Sequence, residues 1–364
     1  MSEIAGLLAD SAERLFGQRL TKAVRDEADQ GGLTGGLWDA CAELGLDLAA
    51  LTEARGGAGL TDADLCAMAR LAGRHALPVP LVETWLAERA LATAGLEPLP
   101  EGTSATISPV LLSDAPELLR DGGTWRLSGT LRRVPHGRHA RVLVVIAQTA
   151  EGWRTVRMDA PDPAALDRNY AGEPRDSFRL DGVSVTAIGE GGSRDDLHFD
   201  GALFRAAQMA GAMERVLDMT VAYAKERAQF GRTISKFQAV QQQIARLAGE
   251  AAAASAASHA AGDARSLGPA RFETACAKLR AGEAAGEVAA IAHQVHGAVG
   301  FTHEYHLHFL TRRLWSWRDE FGSEAEWSDW VGAIAGKVGG EGLWAFLVKP
   351  DPALTAGPKE LAGG

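Results

Sequence analysis

Apolar positions recur at two different periods along this chain, and the change of period divides it into thirds. Over residues 1–101 the spacing is helical. Leu37, Cys41, Leu44 and Leu48 stand three or four residues apart in LWDACAELGLDLAAL, which predicts one apolar helix face. The run ARGGAGLTDADL turns the chain, and Thr61 or Asp62 is placed to cap a helix through Cys66 and Leu71. Pro78 and Pro80 stop that helix, and VETWLAERALATAG predicts another. Over 102–200 the period falls to two. Trp125, Leu127, Gly129 and Leu131 alternate in WRLSGTLRRV, VLVVIAQ at 142–148 is a β-branched run, and WRTVRM and FRLDGVSVTAI predict further strands bounded by DG and GG turns. Over 201–348 the helical period returns. Ala207, Ala210, Met213, Leu217 and Val221 form one stripe between Leu203 and Glu226, and Gly231 ends it. Ser235 to Ala261 and Pro269 to Val295 predict two more long helices, rich in small residues that let helices pack closely in a bundle. Pro350, Pro352 and Pro358 predict a mobile tail over 349–364. The pattern is that of an α+β chain ordered helical, all-β, helical.

Composition narrows the function classes. The 364 residues suffice for two or three domains. Hydrophobic residues at 46% and charged residues at 23% match ordinary globular chains and exclude wholesale disorder. Lys+Arg 37 against Asp+Glu 47 leave a net charge of −10, which argues against nucleic acid as a partner. No apolar run reaches the ~18 residues of a span, so no membrane partner is expected. The N-terminus, MSEIAGLLADSAERLFGQRL, carries acids early and lacks the basic start and apolar core of a secretion signal. Cys41, Cys66 and Cys276 are odd in number and far apart, which suits a reducing cytoplasm better than a disulfide framework.

Two segments carry chemistry. In AYAKERAQFGRTISKFQAVQQQIARLA (222–248), Arg227 follows Tyr223 by one helical turn and can present a permanent planar cation to a phosphate. Gln229 and Gln238 add neutral hydrogen-bonding groups, and Phe230 and Phe237 add flat apolar surface for a ring system. In QVHGAVGFTHEYHLHFLTRR (294–313), Gln294, Gly297 and Gly300 form a turn in which missing Cβ atoms allow a close approach. His293, His296, His303, His306 and His308 cluster here, but without HExxH or cysteine spacing they predict no metal site. Both segments resemble the signature regions of the acyl-CoA dehydrogenase family, in order and separation, and ELGL, GGAGLTDADL and GRHALPVPLVETWLA are similar, more weakly, to its N-terminal helical domain.

That resemblance implies an N-terminal α-helical domain (1–101), a middle β-barrel-like domain (102–200), a C-terminal four-helix bundle (201–348) and the tail (349–364). It implies FAD as cofactor, with Arg227, Gln229, Phe230, Phe237, Gln238, Gln294, Gly297 and Ala298 touching the FAD of an adjacent subunit. Ala298 replaces the family's second glycine. It implies a homo- or hetero-oligomer, an acyl-CoA thioester substrate and an electron-transferring flavoprotein as electron acceptor. The implied reaction removes an α-proton to a carboxylate and a β-hydride to flavin N5.

The sequence departs from the family where the base belongs. The YEG-like turn of most members falls on RDEFGS, with Phe321 at the base position and Glu320 and Asp319 as the neighbouring carboxylates. The alternative base position of some members falls near Gly201, beside Asp200. The flavin-ring segments of the middle domain are replaced by ATISPVLLSDAPELL and by RRVPHG, where Arg132, Arg133, Arg138 and Arg141 form a basic run. Three readings follow. The chain is a dehydrogenase using Glu320 or Asp319 as base. Alternatively it is a non-catalytic, FAD-sharing subunit of a heteromeric enzyme, of the kind that acts on steroid-derived acyl-CoAs. The third is a flavin monooxygenase or oxidase on the same fold.

Overall fold

Several helices in this chain begin where a short polar side chain satisfies a first free amide. Ser2 caps α1 (Glu3–Arg19) and Thr21 caps α2 (Lys22–Asp29). The third helix, α3 (Leu37–Glu43), is shorter than the apolar spacing predicts: Gly45 takes a left-handed conformation (φ +72°) and ends it, so Leu46 to Leu51 run as turns. Thr61 and Asp64 exchange side-chain and backbone bonds in a capping box that starts α4 (Asp62–Arg74), and α5 (Leu81–Thr93) follows Pro80. The computed structural model describes residues 2–32, 36–108, 115–351 and 353–355. Residues 109–114 of ATISPVLLSDAPELL, together with 352 and 356–364 of the tail, therefore lie outside the described residues.

Two compact units result, one comprising Ser2–Leu60 and Pro78–Asp200, the other Thr61–Leu77 and the chain from Gly201 on. The first holds a mixed sheet of β1 (Ala105–Ile107), β2 (Glu117–Asp121), β3 (Thr124–Pro135), β4 (Val142–Thr149), β5 (Gly152–Asp159), β6 (Arg175–Ser184) and β7 (Ala187–Glu190). The order is β6-β3-β2-β4-β5-β7, with β1 also pairing β4 in parallel. The two-residue alternation in β3 buries Leu127 and Leu131 against Val145, Val156, Met158 and Phe178. Gly129 (φ +141°) sits at a register shift between β3 and β6, which bends the strand. Val142 to Ala147 of β4 are buried on both faces, as a β-branched run without alternation requires.

In the second unit, α6 (Arg194–Glu226) starts earlier than the apolar stripe predicts. Ser193 Oγ accepts the Asp196 amide at 2.9 Å, and two acids occupy the first turn, so polar capping chemistry extends the helix upstream. A two-residue hairpin, β8 (Ala228–Gln229) and β9 (Arg232–Thr233), links it to α7 (Gln238–Arg265). Then come α8 (Arg271–His296), α9 (Leu307–Trp317) and α10 (Glu324–Val348), the last kinked at Gly339. Gly73 of α4 and Gly211 of α6 have no room for a Cβ against the facing backbone, so these two helices cross at close range. By length and composition α10 is apolar enough to cross a bilayer, a feature that scanning for uncharged runs passes over because Lys337 and Glu341 interrupt it. Of its described residues Trp327, Trp330, Ile334 and Phe346 are buried, with Phe346 edge-on to Phe272 of α8 at 4.9 Å, while Trp344, Leu347 and Val348 are exposed.

Candidate functional site

The first signature segment forms an exposed patch. Arg227 N–H still bonds the Tyr223 carbonyl (2.8 Å), so its side chain leaves from the last turn of α6. Phe230 (φ +51°) and Gly231 (φ +78°) make the two-residue turn of the hairpin. A phenylalanine in the left-handed region is uncommon, and this one is also 90% exposed. Its ring meets Phe237 edge-on at 6.2 Å, and the Arg232 guanidinium covers Phe237 at 4.3 Å. Arg227, Gln229 and Gln238 are exposed around these two rings.

The second segment closes α8. Gln294 is exposed, and Gly297 adopts φ 59°, ψ −141°, a conformation only glycine holds comfortably. Nothing lies within 4 Å of where its Cβ would stand, while Ala298 and Val299 face outward. Gly300 differs from the expectation of a ligand-facing glycine: it is buried, and a Cβ there would stand 2.9 Å from His296 Cβ. Its glycine serves packing. His293 Nε2 bonds Thr311 Oγ1 (2.9 Å), with its ring between Phe301 (4.4 Å) and Trp315 (5.9 Å). Burial holds His293 and His296 below the usual histidine range. Among the described residues no three His, Cys, Asp or Glu side chains gather as metal ligands do. A guanidinium, three amides, an exposed aromatic ring and an open glycine turn are the donors and surfaces that a flavin dinucleotide needs, so the patch fits FAD.

The two positions at which the resemblance expects a base meet in space. The Phe321 ring lies directly over Gly201, where any Cβ would overlap it. Phe321 is buried and holds φ +55°. Its turn is fixed from three sides. Lys278, itself buried, donates to the carbonyls of Arg318 (2.6 Å) and Gly322 (2.7 Å), and burial pushes its ammonium down from 10.5 to about 8. Trp327 Nε1 donates to the Phe321 carbonyl (3.0 Å). Arg205, only 2% exposed, pairs with Glu320 (2.8 Å), donates to Gln208 (2.6 Å), and lies over Trp317 and Phe321 at 5.2 and 5.7 Å. Glu320 is thus engaged by a buried cation, Asp319 is exposed, and Asp200 pairs with Arg89 (3.3 Å).

The segment replacing a flavin-ring strand is filled as well. His136 (φ +50°) is 4% exposed, and burial lowers it from 6.5 to about 4. Arg138 of the basic run is committed to fully buried Asp176 through Nη2 (2.6 Å) and Nε (3.1 Å). Sequence reading missed Arg205, Lys278 and His136. For the first two a signal existed: a charge set among apolar helical neighbours, in LFRAAQ and ACAKL.

Comparison with known proteins places the chain in a family. The model for the acyl-CoA dehydrogenase C-terminal domain matches residues 200–323. The chain is 30% identical over 320 residues to acyl-CoA dehydrogenase IpdE2 of Mycolicibacterium smegmatis, covering 86% of this chain and 93% of that protein. A chain of the ChsE4-ChsE5 complex from Mycobacterium tuberculosis superposes with TM-score 0.85 at 25% identity, over 93% of this chain and 99% of that one. A chain of the Tcur3481-Tcur3483 steroid ACAD superposes with TM-score 0.81 at 26% identity, over 92% and 98%. The chain belongs to the acyl-CoA dehydrogenase family of flavin oxidoreductases.

Proposed function

We propose that this chain is the base-less, FAD-lending subunit of a heteromeric acyl-CoA dehydrogenase. The observation that carries this reading is the packing of Phe321 onto Gly201. A carboxylate must stand beside the substrate Cα to take its proton, and both positions counted for it hold groups that cannot ionise. Using Glu320 instead would break its pair with Arg205 and leave a guanidinium buried.

Its residues act on a partner's cofactor. Arg227 neutralises phosphate, Gln229, Gln238 and Gln294 hydrogen-bond it, Phe230 and Phe237 give apolar contact, and Gly297 and Ala298 admit close approach. The chemistry FAD supplies when bound is acceptance of the hydride from the acyl β-carbon. The partner is a homologous subunit that presents the carboxylate, with electrons leaving to an electron-transferring flavoprotein in the cytoplasm. The relatives that form two-subunit complexes, one of them a steroid ACAD, support a heteromer acting on a bulky, ring-bearing acyl-CoA.

Absorption spectra test the reading. Purified alone, the chain should be colourless and take up no added FAD; co-expressed with a homologous subunit, it should yield a yellow complex reduced by acyl-CoA. Glu320→Gln in that complex should leave kcat within about threefold, since no interaction with reacting atoms is removed. Near one flavin per chain in the isolated protein, bleached by acyl-CoA and lost to bleaching in Glu320→Gln, would establish a self-sufficient dehydrogenase instead.

A further inference from the structure

The two segments proposed to lend contacts to FAD leave from the ends of different helices, and helix ends fray unless something holds them. Three rings join them. Tyr223 lies one turn before Arg227, His296 directly precedes Gly297, and Tyr305 lies in the loop before α9. The Tyr223 and His296 rings stack with centroids 4.5 Å apart and planes at 28°. Tyr305 meets Tyr223 edge-on at 6.1 Å and His296 at 5.0 Å. The tautomer of His296 follows from its partners. Nδ1 faces the Ala292 carbonyl at 2.7 Å, which can only accept, so Nδ1 carries the proton. Nε2 then accepts, and the Tyr305 hydroxyl donates to it at 3.1 Å.

We infer that Tyr223, His296 and Tyr305 form a lock holding the Arg227 and Gln294–Gly297 segments in one fixed spacing, which makes Tyr305 and His296 positioning residues for FAD. The inference rests on the FAD-lending reading above. The α6 end carries the cation and the α8 end the open turn, so a dinucleotide spanning both needs their spacing preset; otherwise binding must order it. The hydroxyl-to-imidazole bond is the polar part of the lock. Tyr305→Phe leaves the buried His296 Nε2 unpaired, whereas replacing both partners by apolar rings removes that orphan and keeps the stack.

The test is FAD affinity of the full complex with its partner subunit, by flavin fluorescence during removal and re-addition of FAD. Tyr305→Phe should weaken FAD about fivefold, His296→Phe about tenfold or more, and the double variant should return to within about threefold of wild type. Hydrogen exchange of the FAD-free complex gives a second readout: residues 226–234 and 294–300 should loosen together in Tyr305→Phe. A general packing role predicts additive losses in the double variant and loosening confined to 302–306, and either result overturns the lock. Unchanged FAD affinity in Tyr305→Phe, with uptake abolished in Arg227→Ala, also overturns it while leaving the FAD-lending reading standing. Intact uptake in Arg227→Ala would end that reading and the lock with it.

Discussion

At the scale of single residues, the chain's departure from its family comes down to what fills one small volume. Gly201 and Phe321 are complementary: the ring occupies the space that the missing Cβ leaves. Gly201→Ala should destabilise the chain by about 1–3 kcal/mol, because Phe321 is pinned at φ +55° by its turn and has little freedom to retreat. Combining it with Phe321→Ala should cost less than the two single changes added, and denaturant melts of the four proteins measure that coupling. The sequence makes both positions legible one at a time, since counting along the motifs reaches Phe321 and Gly201 separately. That they touch was not legible, because contact between residues so far apart depends on how α6 and the turn after α9 pack.

At the scale of elements, helix caps and periods were readable, whereas the partners of the buried charges were not. The capping box at Thr61 and the alternation in β3 follow from local chemistry. Gly45 cutting α3 short and Ser193 extending α6 show local capping chemistry overriding an apolar stripe. Lys278 reads in sequence as a surface lysine on an alanine-rich helix, yet α8 is buried nearly all round and turns it toward the carbonyls of the 318–322 turn. Burial favours its neutral form, so between about 8 and 10.5 the folded chain holds fewer protons than the unfolded one, and stability rises with pH through that window. Lys278→Met removes this contribution and strands two carbonyls. The variant should be less stable than wild type, and the gap should widen by about 3 kcal/mol from pH 8 to pH 10.5, read from chemical denaturation at each pH.

At the scale of the whole molecule, each unit holds buried ionisable groups whose displaced titration makes its stability depend on pH. His136 in the sheet-bearing unit is held at about 4 against 6.5 unfolded, so its stabilisation is complete above pH 6.5 and is lost as pH falls through 4. His139, His293 and His296 shift in the same direction, and Glu88, raised by burial, opposes them. On the alkaline side Lys278 adds stability from about 8. The thiols act in the opposite sense: burial raises Cys41 from 9.0 to about 12 and Cys276 to about 11, so from pH 9 upward the unfolded chain loses protons that the folded one keeps. From pH 9 upward the two thiols therefore oppose the stabilisation that Lys278 adds. Asparagine tolerates the left-handed backbone at position 136 and does not titrate, so His136→Asn tests the acid limb without straining the turn. Its stability relative to wild type should rise by up to about 3 kcal/mol between pH 6.5 and pH 4. Cys41→Ala with Cys276→Ala should remove that loss, so the double variant should gain stability relative to wild type as pH rises above 9. An acid slope unchanged by His136→Asn would mean that carboxylates, not this buried imidazole, govern acid unfolding.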